Sequence, residues 1–226
     1  MMKKLILIRA GSTAWQESSP EKFCCGSKPI DDEARLQGRV PLPLSETDKK
    51  ALKENAVALH QENAEVIYNS GNESAGPTAE YLSELYSIKT KEDPNLRELD
   101  CGLWQGLKIK DIKKRYGRAY RQWHSDPASI SPPQGENLVA AGERICLALQ
   151  KIAKKNKDKT VVIIAAPIAA ALIECILNHG RLDKLWHFVE NPKPLQAFDL
   201  RNEETFDPPA TSDEQVRSEG ARIHTA

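Results

Sequence analysis

Arg9 closes the short aliphatic run Leu5–Ile8 and is followed by the turn Gly11-Ser12-Thr13. A guanidinium delivered beside turn amides is the kind of pairing that holds phosphate or carboxylate oxygens. Ser12 and Thr13 bring hydroxyls to the same turn, but no base stands near them in sequence to activate one as a nucleophile. The five histidines offer no replacement. His60 lies on a polar helical stretch, His124 beside Ser125-Asp126-Pro127, His179 before Gly180, His187 after Trp186 and His224 near the end of the chain. None follows the C-terminal end of a strand, where open α/β sheets bind ligands, so each reads as an exposed or capping residue. Vicinal Cys24-Cys25 has no second Cys or His pair at ligand spacing, so neither a metal nor a cofactor is expected.

The elements that must position Arg9 follow from the apolar pattern. Lys3–Arg9 and Thr160–Ala166 are continuous aliphatic runs of the kind found in strands buried on both faces, and Ala64–Asn69 is a third, shorter one. Pro167 then marks the first turn of a buried helix, Ile168–Leu177, and Pro77–Tyr86 has helical character. Strands alternating with helices predict an α/β fold with crossover connections and a mainly parallel sheet. Leu107–Trp123 and Leu138–Lys154 carry apolar residues at three- and four-residue spacing, so residues 107–150 are expected to form a small helical cap. Gln16–Asp32 is polar and longer than most connections, which predicts a surface excursion. Residues 206–226 lack apolar periodicity and are expected to form a flexible tail behind a single domain, 1–205.

Composition removes several classes of function. With 226 residues, the chain is long enough to bury a core without disulfide or metal staples. Lys and Arg number 32, Asp and Glu also 32, so no net field gathers nucleic acid or anionic lipid. The longest apolar stretches fall far short of the ~20 residues of a membrane span. A signal-peptide core is also missing, which predicts a cytoplasmic protein with Cys24, Cys25, Cys101, Cys146 and Cys175 as free thiols. The lysines of Lys108–Lys114 and Lys151–Lys159 read as solvated helix faces balanced by acids elsewhere, and the four tryptophans as packing residues.

Five segments, in order, carry a resemblance. They are Leu5-Ile-Leu-Ile-Arg-Ala-Gly-Ser-Thr-Ala-Trp-Gln16; Arg35-Leu-Gln-Gly38 with Pro43-Leu-Ser45; Ile67-Tyr-Asn-Ser70 with Thr78-Ala-Glu80; Leu96-Arg-Glu98 through Gly102-Leu-Trp104-Gln-Gly106-Leu107; and Pro132-Pro-Gln-Gly-Glu136 in the cap. Together they resemble the histidine phosphatase superfamily, the phosphoglycerate-mutase-like fold. The resemblance implies a three-layer α/β/α domain with a small helical cap. It also implies a chemistry in which a histidine after the first strand accepts the phosphoryl group. Two arginines and a second histidine hold the phosphate oxygens, and a carboxylic acid protonates the leaving oxygen.

The departures fall on that chemistry. Ala10 stands at the position of the nucleophile, Ser74 at that of the second arginine and Ala166 at that of the second histidine. Arg9, Gly11, Ser12 and Gln16 remain as candidate ligands for a phosphate or other anion, and Glu98 occupies the acid's position. Charge-assisted hydrogen bonds contribute about 1.5–3 kcal/mol each, so losing three subtracts roughly 4–9 kcal/mol from anion binding. The expectation is a silenced phosphatase homologue that binds a small anion weakly or acts through interaction, as a homo-oligomer or a hetero-oligomer with a paralogue. The alternative is a weak phosphohydrolase with Glu98 as general base and Arg9 as phosphate ligand. With no other cation in the pocket, Arg9 is expected to pair with Glu98.

Overall fold

The computed structural model describes residues 2–13, 15, 34–55, 57–71, 74–201 and 205–210. Gln16, the rest of the Gln16–Asp32 excursion, Cys24, Cys25 and residues 211–226 lie outside them. The elements run β1 (Lys4–Arg9), α1 (Glu46–Asn55), α2 (Val57–Gln61), β2 (Val66–Asn69), α3 (Ala75–Tyr86) and β3 (Lys89–Glu92). They continue with α4 (Ile109–Ser125), α5 (Leu138–Lys155), β4 (Thr160–Ala165), α6 (Pro167–Leu177), α7 (Leu185–Glu190) and β5 (Leu195–Asp199).

The five strands form one sheet in the order β3-β2-β4-β1-β5. β1 pairs in parallel with β4, β4 with β2 and β2 with β3, whereas β5 runs antiparallel to β1. The aliphatic runs that read as two-sided strands occupy the centre, as their composition requires. Side chains alternate in direction along a strand, and two cores result. Leu5, Leu7, Tyr68, Val161 and Ile163 face a layer that includes α5, α6 and α7. Ile6, Ile8, Ile67, Val162 and Ile164 face α1, α2 and α3. This is the three-layer α/β/α arrangement with a mainly parallel sheet.

Both edge strands escape the apolar pattern. β3 reads Lys-Thr-Lys-Glu and is exposed throughout, so pairing with β2 alone makes it a strand. Charged edges of this kind also discourage pairing with foreign chains.

Two boundaries differ from expectation. Residues 107–150 do not form one cap. Nine residues of α5, from Leu138 to Ala153, are buried and eight of them join the core that covers the sheet, whereas the 17-residue α4 buries four. The flexible tail does not begin at Phe206, which is buried and whose carbonyl accepts hydrogen bonds from Gln150 Nε2 at 2.7 Å and from Cys146 Sγ at 3.2 Å. Ala210 accepts from Leu182 N at 3.1 Å. A lone aromatic followed by prolines shows no periodicity, yet it anchors the chain by filling a gap beside α5. Among the described residues, no helix is long and apolar enough to cross a membrane.

Candidate functional site

Because β1, β2 and β4 are parallel, their C-terminal ends open on one edge of the sheet. Arg9 and Ala165 are in register, and Ala10 N donates to Ala165 O at 2.9 Å, which sets Ala10 beside the end of β4 and Ala166. Gly11 N donates to Thr78 Oγ1 at 3.0 Å, and Thr78 Oγ1 donates in turn to Ser74 O at 2.7 Å. The fold thus brings Ala10, Gly11, Ser74, Glu98 and Ala166 to one edge, although the sequence separates them widely. Ser12 lies next along, its carbonyl accepting from Ser45 N. Thr13 Oγ1 donates to Gln37 Oε1 at 2.9 Å.

Glu98 approaches from the loop after β3. Its backbone is held by Arg39, whose Nε donates to the Glu98 carbonyl at 2.8 Å while its two Nη groups bind Asp100 and Glu136. Gly102 fixes the next turn at φ +49°, where a Cβ would lie 2.2 Å from the Pro133 carbonyl oxygen. Only glycine meets both demands.

The buried Glu98 carboxylate reaches the start of α6. Its Oε1 accepts from Leu99 N at 2.7 Å and Ala169 N at 2.9 Å, and its Oε2 from Ile168 N at 2.8 Å. Pro167 has no N–H, and Ala170 N donates to Ala166 O at 2.7 Å. The amides of the first turn of α6 are therefore accounted for without an external anion, by a carboxylate in the position that the helix dipole favours.

Arg9 does not take Glu98 as its ion-pair partner, contrary to expectation. It alternates onto the face shared by Leu5 and Leu7, where its Nη2 lies 3.7 Å from Glu174 Oε1 on α6. Nη2 also donates to Phe188 O at 2.6 Å and Nη1 to Val189 O at 3.4 Å, both carbonyls near the C-terminal end of α7. Burial pulls the guanidinium below its ordinary pKa, opposed by Glu174 and then by the more weakly felt Glu98. The reason is directional: Glu98 is drawn to the helix amides, which leaves the carboxylate on the facing helix to balance Arg9.

Sequence reading missed Glu174, though a signal was present. It is the only charged residue of α6, Pro-Ile-Ala-Ala-Ala-Leu-Ile-Glu-Cys-Ile-Leu. A lone acid in a fully buried helix must have a counter-charge. Gly11 as an anion ligand is also corrected, because its amide is already given to Thr78.

His124 is not an exposed or capping residue either. It stacks on Trp186 of α7 with centroids 4.9 Å apart and an interplanar angle of 29°, and meets Tyr120 edge-on at 4.5 Å. Trp186 Nε1 donates to Trp123 O at 3.2 Å. Burial pushes the imidazole down to about 4, against the pull of Glu190 and aided by Lys113. Between the ordinary value near 6.5 and the folded value, the unfolded chain binds a proton that the folded chain refuses. Stability is therefore full above pH 6.5 and falls as pH drops toward 4, by about 1.4 kcal/mol per pH unit and about 2–3 kcal/mol in all. Urea melts of wild type and His124→Leu across that window should show the variant lacking this slope; parallel slopes would remove His124 as the cause.

Comparison with known proteins agrees with this geometry. The sequence pattern of the histidine phosphatase superfamily (branch 1) matches residues 5–205. Phosphoserine phosphatase 1 of Hydrogenobacter thermophilus is 27% identical over 187 residues, covering 83% of this chain and 82% of that protein. An uncharacterized phosphatase, PhoE of Bacillus subtilis, is 25% identical over 175 residues, covering 76% of this chain and 77% of that protein. The solved structure of YhfR from Bacillus stearothermophilus superimposes with a TM-score of 0.75 at 23% identity, covering 91% of this chain and 94% of that one. The α-ribazole phosphatase structure from Shigella flexneri gives 0.73 at 19% identity, covering 91% and 95%. With that pattern spanning nearly the whole domain and the same sheet and layers beneath it, the chain belongs to the histidine phosphatase superfamily, branch 1.

Proposed function

We propose that this chain is a catalytically silent member of its superfamily that works by binding rather than by turnover. The observation that carries this reading is Ala10 at the end of β1, where the superfamily's phospho-accepting histidine is expected. A methyl group has no lone pair with which to attack phosphorus. Three further features support it. Arg9 is balanced by Glu174 and two carbonyls, Glu98 is engaged by three amides, and Pro167 withholds an N–H at the first position of α6. The relatives are named as phosphatases; the corresponding reaction is not assigned to this chain.

The alternative of a hydrolase with Glu98 as general base requires a carboxylate free to take a proton from water. Both oxygens already accept N–H groups, from Leu99, Ile168 and Ala169. A role in binding another protein, such as a paralogous subunit, fits the same facts.

The test is turnover. Wild-type protein incubated with p-nitrophenyl phosphate, phosphoserine and phosphoglycerate should release no phosphate above the buffer control. Release that Arg9→Ala abolishes, or a stable phosphoryl label on the protein after exposure to a phosphate donor, would overturn the reading.

A further inference from the structure

The chain is neutral overall, but its charge is not spread evenly. α4 carries six basic residues, Lys110, Lys113, Lys114, Arg115, Arg118 and Arg121, against the single acid Asp111. All six are exposed, while Ile109, Ile112, Tyr120 and Trp123 are buried on the other side. The acids that balance these charges over the whole chain do not all lie beside this helix. Among the described residues, Lys114, Arg115, Arg118 and Arg121 make no ion pair. Elsewhere on the surface Arg144 meets Glu136 at 2.8 Å and Lys151 meets Asp93 at 3.0 Å.

The placement of these four is costly. Lys114 and Arg118 are four residues apart, and Arg118 is three from both Arg115 and Arg121, spacings at which like charges repel on a helix surface. The helix also bends at Tyr116, whose φ and ψ are −127° and 27°. The cations span about 10 Å of axis at 1.5 Å per residue.

We propose that this outer face of α4 is a docking surface for an acidic helix of another protein. Carboxylates at three- and four-residue spacing on the partner would face Lys114, Arg118 and Arg121 in turn and relieve their mutual repulsion. Other occupants fit less well. The apolar side of α4 is already committed to the core, so the helix has nothing to insert into lipid. Tyr120 and Trp123 are 4% and 0% exposed, so they offer no platform on which bases could stack. A second copy of this chain would present Glu80 and Glu84 on α3, both exposed. Those two carboxylates answer at most two of the cations, whereas an acidic helix laid along α4 answers the whole stripe.

This proposal names a partner for the binding role proposed above, and its test does not depend on turnover. Turnover by the wild type would refute silence and leave the docking surface standing. The probe is a labelled synthetic helical peptide with Glu at positions i, i+4, i+7 and i+11, titrated by fluorescence anisotropy. Wild type should bind it. Affinity should fall at least roughly tenfold in the triple variant Lys114→Glu/Arg118→Glu/Arg121→Glu. It should also weaken as ionic strength rises from about 0.01 M to about 1 M and the Debye length shrinks from about 30 Å to about 3 Å. If the reversed variant loses its far-UV helix signal, Lys114→Gln/Arg118→Gln takes its place, with a smaller fall expected. Equal affinity in wild type and variant overturns the proposal. So does tighter, reversal-sensitive binding to a duplex DNA or to phosphatidylserine vesicles, or self-association of the protein alone that the reversal abolishes.

Discussion

Glu174→Gln is expected to destabilise the protein by about 3–5 kcal/mol, the usual result of removing one partner from a buried ion pair. The side chains of Arg9 and Glu174 are only 6% and 3% exposed, so water cannot replace the lost charge. The Phe188 and Val189 carbonyls would still accept from the guanidinium, and Glu98 would still act on it at longer range. That places the effect toward the lower end. The double replacement Arg9→Met/Glu174→Leu should recover most of the loss, because an apolar pair of similar volume carries no desolvation penalty. Urea denaturation of Arg9→Met, Glu174→Leu and the double gives the coupling energy directly. Additive single effects would show that Arg9 is balanced by something other than Glu174.

Glu98→Ala should be nearly as damaging, at about 3–4 kcal/mol. It leaves the N–H groups of Leu99, Ile168 and Ala169 without their acceptor, and a buried unsatisfied donor costs about 1–3 kcal/mol. Part of this is the loss of a helix cap at Ile168 and Ala169, worth about 1 kcal/mol. Glu98→Gln keeps one carbonyl oxygen but turns an amide NH2 toward the donors, so an intermediate loss of about 2 kcal/mol is expected. If both variants melt with wild type, the carboxylate is not what closes the first turn of α6. A residue retained only as a vestigial acid would produce no stability loss, so this measurement separates a structural Glu98 from an idle one.

The two results bear on how this fold keeps its buried charges satisfied. Beside Ala10 a guanidinium and a carboxylate, those of Arg9 and Glu98, sit in a buried interior. Each must be satisfied or the fold suffers. Here Glu174, the α7 carbonyls and the α6 amides satisfy them, so both side chains are part of what holds β1, α6 and α7 together.

Much of this was legible in the residues themselves. Runs such as Leu5–Ile8 and Val161–Ala165 can be stable only as strands covered on both faces, and Pro167 could only open a helix, never continue one. Gly38 and Gly102 adopt left-handed backbone within segments that carry the family resemblance. β3 and β5 were not legible, because a strand at the edge of a sheet is made by its neighbour's hydrogen bonds and leaves little apolar trace.

By itself the sequence determined the layers, the centre of the sheet and the alanine that follows Arg9, since these depend on residue type and local spacing. It also implied that Glu174, alone in an apolar helix, needs a counter-charge. Only the tertiary structure decided that Arg9 supplies it, that Glu98 turns to the amides of α6, and that His124 lies against Trp186. Such pairings join residues far apart in the chain, and direction and burial choose among partners that composition leaves equivalent.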